Sequence, residues 1–482
     1  MKREQIISPA IPLILLACIG ICSVVLERAV PEKGIQVAGF TLKFKSPVDT
    51  ASRTIEDVGA YLAQLDSVAE DTIATKVDTL KVKRVVSKTS LQFRDDDASS
   101  LYPFFTMLDE VKASGTNVHV LHYGDSQIES DRISGYLRQK WQEEFGGRGP
   151  GLVAPLPITA SANITQSQSG NWKRYTAYGF DNGKAGHSRY GVMAAIGRFT
   201  QSRKKEEIDS TEIQESWIEL RPSSMAHSYS KTYSQAGIYF GYHQFPLVLS
   251  VAVGDSVIAN DTIPPTSYVL EKTYRFPPTP SKLKFKFSGA DSPDVHGICL
   301  QNEGGVNVDN LALRGSNGNI FKRIATSDLK TELNDLNAQL IMLQFGGNSL
   351  PYVESNKSAK EYGNFFQAQI QYLKTLAPQA AFIIIGPADM SKMVDGTWQT
   401  YPYLEAVRDA MKEAAFNEGC AFWDMYEVMG GKNSMVSWVT NSPPYAGTDY
   451  VHFTPLGARK VAELLYKAID HEYDAWKNAS LK

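Results

Sequence analysis

A serine placed between a buried strand and a helix is a candidate nucleophile, and Ser126 in HYGDSQ is so placed. A hydroxyl is a poor nucleophile at neutral pH, so it needs a base, most often a histidine oriented by a carboxylate. Of the eight histidines, only His452 has an acidic residue three positions before it, Asp449. Thr454 and Pro455 come next, a capping residue and a first helical proline. Asp449 and His452 are therefore expected in a loop just before the last helix, close enough for the carboxylate to fix one imidazole tautomer. A second Gly-Asp-Ser occurs at Gly254–Asp255–Ser256. The VIANDTIPP after it is β-branched and broken by proline, so a hairpin turn is expected there, with no nucleophile.

These groups must be positioned by alternating strands and helices. NVHVLHY reads as a buried strand that GDS breaks. IESDRISGYLRQKWQEEF then carries Ile128, Ile133, Leu137 and Trp141 at helical spacing, closing at Gly146–Gly147. The N-terminus of that helix would help to stabilise negative charge developing beside Ser126. Towards the C-terminus, AQLIMLQF and AAFIIIG are buried strands separated by the amphipathic YGNFFQAQIQYLKTLA. A helix (YLEAVRDAMKEAAFNEG), a strand (CAFWDM) and a last helix (PLGARKVAELLYKAIDHEY) complete an α/β three-layer pattern. Over residues 156–305 helical periodicity gives way to alternating runs such as SWIELRP and KLKFKFSG, punctuated by Gly, Pro, Asn and Asp. That pattern predicts an antiparallel β-sandwich inserted into the α/β domain.

Composition bounds the rest. With 43% apolar and 21% charged residues the chain can bury a real core. A net charge of −3 argues against nucleic acid as a main partner. Lys2 and Arg3 precede an almost uncharged run from Ile6 to Leu26, long enough to span a bilayer with its positive end in the cytoplasm. An uncleaved anchor comes first, then a signal peptide, then lipoprotein processing at Cys18; each puts the bulk of the protein outside the cytoplasm, on the periplasmic side. The expected organisation is thus 1–28 anchor or signal segment, 29–95 stem, 96–155 and 306–482 the two parts of the α/β domain, and 156–305 the insert.

GDSQ at Ser126, GGNS at 346–349 and DYVH at 449–452 resemble, in order, the first, third and fifth sequence blocks of the SGNH/GDSL hydrolases. The resemblance covers about 60 residues around Ser126 and about 160 at the C-terminal end. It implies a flavodoxin-like parallel sheet, Ser126 as nucleophile, His452 as base and Asp449 as its orienter. It also implies an oxyanion hole of the Ser126 N–H, the Asn348 side chain and a glycine N–H. Gly315 in VNVDNLALRGSNG fits the second block, with Gly304, Gly305 and Gly318 nearby. The insert and FGGRGPGLV resemble bacterial peptidoglycan O-acetylesterases with a carbohydrate-binding-type sandwich, which implies an acetylated glycan as substrate. Two positions depart from the pattern: Gln127 replaces the usual Leu, and Ser349 the frequent Asp. Alternatives are an O-acetyltransferase using the same triad, and a catalytically idle glycan-binding protein.

Other features have structural readings. GGRGPG at 146–151 comes after a helix instead of opening one, which predicts a C-cap and turn, with no phosphate loop. The dense aromatics of the insert, including Trp172, Tyr175, Tyr178, Tyr229, Tyr233, Tyr239 and Tyr242, are expected mainly in its core. His119 and His122 fall on the buried strand and read as structural. Cys299 and Cys420 are distant and read as buried thiols. No His/Asp/Glu cluster has metal-ligand spacing, and neither a metal nor a cofactor is expected.

Overall fold

The computed structural model describes residues 35–37, 40–42, 87–179 and 183–480. The apolar run at 6–26, Cys18 and Cys22 lie outside the described residues, as does most of the stem. Within the stem, Ile35–Val37 and Phe40–Leu42 pair as antiparallel strands. Among the described residues no helix is long and apolar enough to cross a membrane.

Five strands make a parallel sheet: β1 (Asn117–Gly124), β2 (Gly305–Ala312), β3 (Ala338–Gln344), β4 (Ala381–Ile385) and β5 (Ala421–Trp423). Their order is β2-β1-β3-β4-β5, the doubly wound flavodoxin-like order. Alternate residues of each strand enter two cores. One core joins Val118, Val120, Leu340 and Met342 to helices α1 (Tyr102–Ser114), α2 (Ser134–Phe145) and, at the C-terminus, α6 (Pro455–Ser480). The other joins Tyr123, Ile341 and Leu343 to α3 (Thr326–Asp335), α4 (Asn356–Leu376) and α5 (Leu404–Asn417). A fully buried side chain such as Phe366 contributes about 1.5–3 kcal/mol. Gln92 pairs with Phe422 and so covers the outer edge of β5.

The strands of the sandwich lie in sequence between β1 and β2. A five-stranded sheet, with Leu283–Gly289 at its centre, faces a six-stranded one built around Asp294–Gln301. Phe285, Phe287, Ile238 and Ile298 fill the space between them, while Lys284 and Lys286 alternate outward. The six-stranded sheet already includes Gly151–Val153, and β2 starts at Gly305. The insert aromatics do not lie mainly in its own core: Tyr233 is buried between the two sheets with Trp172 against that core, whereas Tyr175, Tyr178 and Tyr239 are buried in the apolar cluster shared with the α/β domain. The outer face of this sheet packs on the α/β unit through buried polar bonds. His296 Nδ1 and the backbone N–H of Val192 both meet the Glu332 carboxylate, at 2.5 and 2.7 Å.

The glycine run after α2 has a packing reason. The Gly146 N–H donates to the Gln142 carbonyl and closes the helix. Gly147, at φ 102°, then passes so near β2 that a Cβ would lie 2.6 Å from the Val306 oxygen.

Candidate active site

Ser126 stands immediately beyond the carboxyl end of β1, where the strand order reverses between β1 and β3. The Asp125 carboxylate accepts the Gln127 N–H at 2.9 Å and fixes the turn. The chain does not continue as the unbroken helix predicted from Ile128. A tight turn of 3-10 type runs from Ser126 to Asp131, with Ser130 and Asp131 in the left-handed region (φ 61° and 63°), and α2 starts only at Ser134. The buried Asp131 carboxylate holds this kink through Arg138, at 2.5 and 3.0 Å. No α-helix N-terminus backs Ser126, so any oxyanion must be stabilised by individual donors.

Ser126 Oγ lies 2.8 Å from His452 Nε2, and His452 Nδ1 lies 2.8 Å from Asp449 Oδ2. The other Asp449 oxygen accepts the N–H groups of Val451 and His452, each at 3.0 Å. Burial alone would raise the Asp449 pKa, but these backbone bonds and the imidazole outweigh it and hold the carboxyl below its ordinary range. The charged oxygen fixes the tautomer with hydrogen on Nδ1, leaving Nε2 free to accept the serine proton. Thr454 Oγ1 accepts the Gly457 N–H at 3.2 Å and caps α6 as expected.

Gln127 has a role that the sequence does not reveal. Its Nε2 donates to the Val451 carbonyl at 2.5 Å, and its Oε1 accepts the Phe453 N–H at 3.3 Å. One side-chain amide thus ties the nucleophile turn to the chain on both sides of His452. A hairpin of Ser391–Val394 and Thr397–Thr400 braces the same loop: Trp398 stacks on Tyr450 with centroids 3.9 Å apart. Leucine at position 127 fills similar volume without either bond. Gln127→Leu is expected to lower kcat by about ten-fold with KM nearly unchanged, because small displacements of a base are costly. Steady-state kinetics on an aryl ester check this; a loss confined to KM would contradict it.

Asn348 lies just beyond β3 and reaches the same turn. Its Nδ2 donates to Asp125 Oδ2 at 2.9 Å and to the Ser316 carbonyl at 3.2 Å. Gly315 lies in the Leu313–Ser316 turn after β2, at φ 75° with open space where a Cβ would be. Ala312 pairs with Gly124, so Gly315 and Ser126 leave adjacent strands at the same sheet edge. No hydrogen bond among the described residues joins Gly315 to Ser126, His452 or Asn348. Gly304 and Gly305 fall at the opposite, amino end of β2, and Gly318 packs on Phe345 and Phe366. The cleft over Ser126, Asn348 and His452, which Gly315 does not line, has about 600 Å³ of open space including its mouth, with Pro351, Pro387 and Met390 as its apolar wall.

Asp125 is buried, and burial pushes its carboxyl up to about 6 against the bonds from Gln127 and Asn348. A folded-state value raised from 3.8 means that the native state binds the proton more tightly than the unfolded chain. The associated stability is therefore complete below about 3.8 and is lost as pH rises through about 6, by about 3 kcal/mol. Urea unfolding across this range, wild type against Asp125→Asn, should show the difference between them shifting by that amount against the wild type. A pH-independent difference would refute it.

The second Gly-Asp-Ser is a hairpin turn. Val253 and Ser256 pair across it, Ser256 is exposed, and Asp255 meets Lys282 at 2.7 Å. His119 is buried against Asp309 (2.6 Å) and Gln301 (3.0 Å), and His122 between Gln344 and Ser134 (3.0 Å each). Cys299 and Cys420 are buried free thiols.

Residues 252–460 match the GDSL-like lipase/acylhydrolase family. The chain carries a GDSL-like acylhydrolase domain. The matched stretch of this domain contains Asn348, Asp449 and His452 but begins just before the second Gly-Asp-Ser, and Ser126 lies upstream of it. A solved peptidoglycan O-acetylesterase shares the fold, with a TM-score of 0.60 at 20% identity, over 77% of this chain and 96% of that one. A family two carbohydrate esterase from Cellvibrio japonicus has 9% identity and a TM-score of 0.25, over 65% of this chain and 99% of that one. An acetyl xylan esterase has 19% identity and the same score, over 34% and 81%. These last two share too little shape with the whole chain to bear on it. No curated protein matches the chain.

Proposed function

We propose that the protein is a serine esterase that removes O-acetyl groups from an extracytoplasmic cell-envelope polysaccharide, peptidoglycan foremost. The observation that carries this reading is the 2.8 Å approach of Ser126 Oγ to a histidine held by Asp449. Ser126 Oγ attacks the acetyl carbonyl while His452 Nε2 takes its proton. The Ser126 N–H, Asn348 Nδ2 and the Gly315 N–H receive the oxyanion. His452 returns the proton to the departing sugar oxygen, leaving an acetyl-enzyme. Water, deprotonated by His452, then releases acetate and regenerates Ser126. The fold shared with a peptidoglycan O-acetylesterase supports the choice of glycan, and the apolar cleft wall suits a small acyl group. The apolar run at 6–26 would tether the enzyme at the inner membrane, facing the periplasm.

The full-length protein, incubated with O-acetylated peptidoglycan and with an aryl acetate, is expected to release acetate from both. Hydrolysis of the aryl ester without release from any glycan would defeat the glycan reading. Transfer of acetyl to an added acceptor glycan in place of acetate release would make it an O-acetyltransferase.

A further inference from the structure

On the insert side of the nucleophile turn, a second cleft with about 760 Å³ of open space separates the sandwich from the sheet edge. Ser130 and Ala312 line it from the α/β side; Ala312 is the register partner of Gly124, next but one to Ser126. Arg174 and Tyr178 line it from the sandwich.

The carboxylates of this wall are already engaged. Glu129 takes a two-point bond from Arg314 at 2.7 and 2.5 Å, and Asp131 takes Arg138. Among the described residues Arg174 has no carboxylate partner. Its Nη2 donates to the Tyr178 hydroxyl at 2.6 Å, and its Nη1 is buried with no hydrogen-bond partner. Among the described residues the two carboxylates of the wall are thus taken by Arg138 and by Arg314, which stands outside the cleft, and Arg174 is left with an unmet donor. Buried N–H donors are nearly always paired, and a guanidinium is shaped to receive a carboxylate.

We propose that this cleft is a subsite for a carboxylate borne by the glycan, received by Arg174 of the sandwich. It rests on the reading of Ser126 as the nucleophile of a glycan O-acetylesterase. The insert would then select acidic polysaccharides, while the cleft over Ser126 selects the acyl group. A lactyl ether on an amino sugar, where no peptide is joined to it, and a uronic acid both present such a carboxylate.

The test uses the full-length enzyme and two O-acetylated glycans, a lactyl-bearing one and a polyuronate. Each is assayed with its carboxylates free or converted to amides. Wild type should lose about ten-fold or more in kcat/KM when the preferred glycan is amidated, mainly through KM. Arg174→Gln should start near that lowered value and lose nothing further on amidation, and Arg174→Lys should retain part of the preference. Thermal midpoints separate any loss of fold from loss of recognition. Wild type indifferent to amidation on both glycans, or Arg174→Gln weakened by the same factor on free and amidated forms, would overturn the subsite and leave the esterase reading intact. Wild type active on an aryl acetate and on neither glycan would overturn the subsite together with the choice of a glycan substrate. The glycan whose amidation matters identifies the source of the carboxylate.

Discussion

Ser126→Ala is expected to lower kcat for acetate release by about 10⁴-fold or more, while Ser256→Ala leaves it unchanged. Both serines sit in Gly-Asp-Ser, so the motif predicts the same outcome for each; the structure separates them. Ser126 lies 2.8 Å from a carboxylate-backed imidazole at the edge of a parallel sheet. Ser256 lies in an exposed hairpin whose aspartate pairs with a lysine. With no hydroxyl at 126 there is no acyl-enzyme, and what remains is the donors acting on a water-driven reaction. Aryl acetate kinetics and a search for acetyl-enzyme by mass spectrometry decide the matter. A Ser126→Ala variant that keeps its rate, or an acetyl group trapped on Ser256, would refute the assignment.

Asn348→Ala is expected to lower kcat by about 10²–10³-fold with KM within about two-fold of wild type. An oxyanion donor contributes to the tetrahedral species far more than to the bound ester, so its loss is felt in kcat. Asn348 is held ready by two acceptors, Asp125 Oδ2 and the Ser316 carbonyl. One of these bonds must be exchanged for the oxyanion, which makes the Asp125 carboxylate a positioning group for the donor. Steady-state kinetics on an aryl acetate provide the check. A pure KM effect, or a kcat change under about three-fold, would remove Asn348 from the oxyanion hole.

The parts of this site that are legible in the sequence are those encoded locally. Asp449 and His452 are three residues apart, and a proline-started helix after them fixes where they sit. Ser126 stands out because an apolar strand ends two residues before it. The break behind Ser126 is not legible, since the apolar spacing from Ile128 to Trp141 is real but Ser130 and Asp131 adopt left-handed conformations within it. Burial of Asp131 against Arg138 offsets that backbone strain, and no periodicity count records such a pairing. Gln127 stands in the sequence only as a departure from a pattern. Its partners, Val451 and Phe453, lie more than three hundred residues away, so its role exists only in the folded chain. The unmet Nη1 donor of Arg174 is likewise a property of the folded chain alone.

The insertion of the sandwich between β1 and β2 also orders the birth of the protein. β1, the strand that presents Ser126, has only β2 and β3 as neighbours, and both are encoded beyond the sandwich. During synthesis at roughly 5–20 residues per second, NVHVLHY must wait on the order of ten to forty seconds for a partner strand to be made. The sandwich strands, all encoded between β1 and β2, can meanwhile pair among themselves. The nucleophile strand thus emerges early with both edges open and is sealed late, a window in which holding factors and aggregation compete for it.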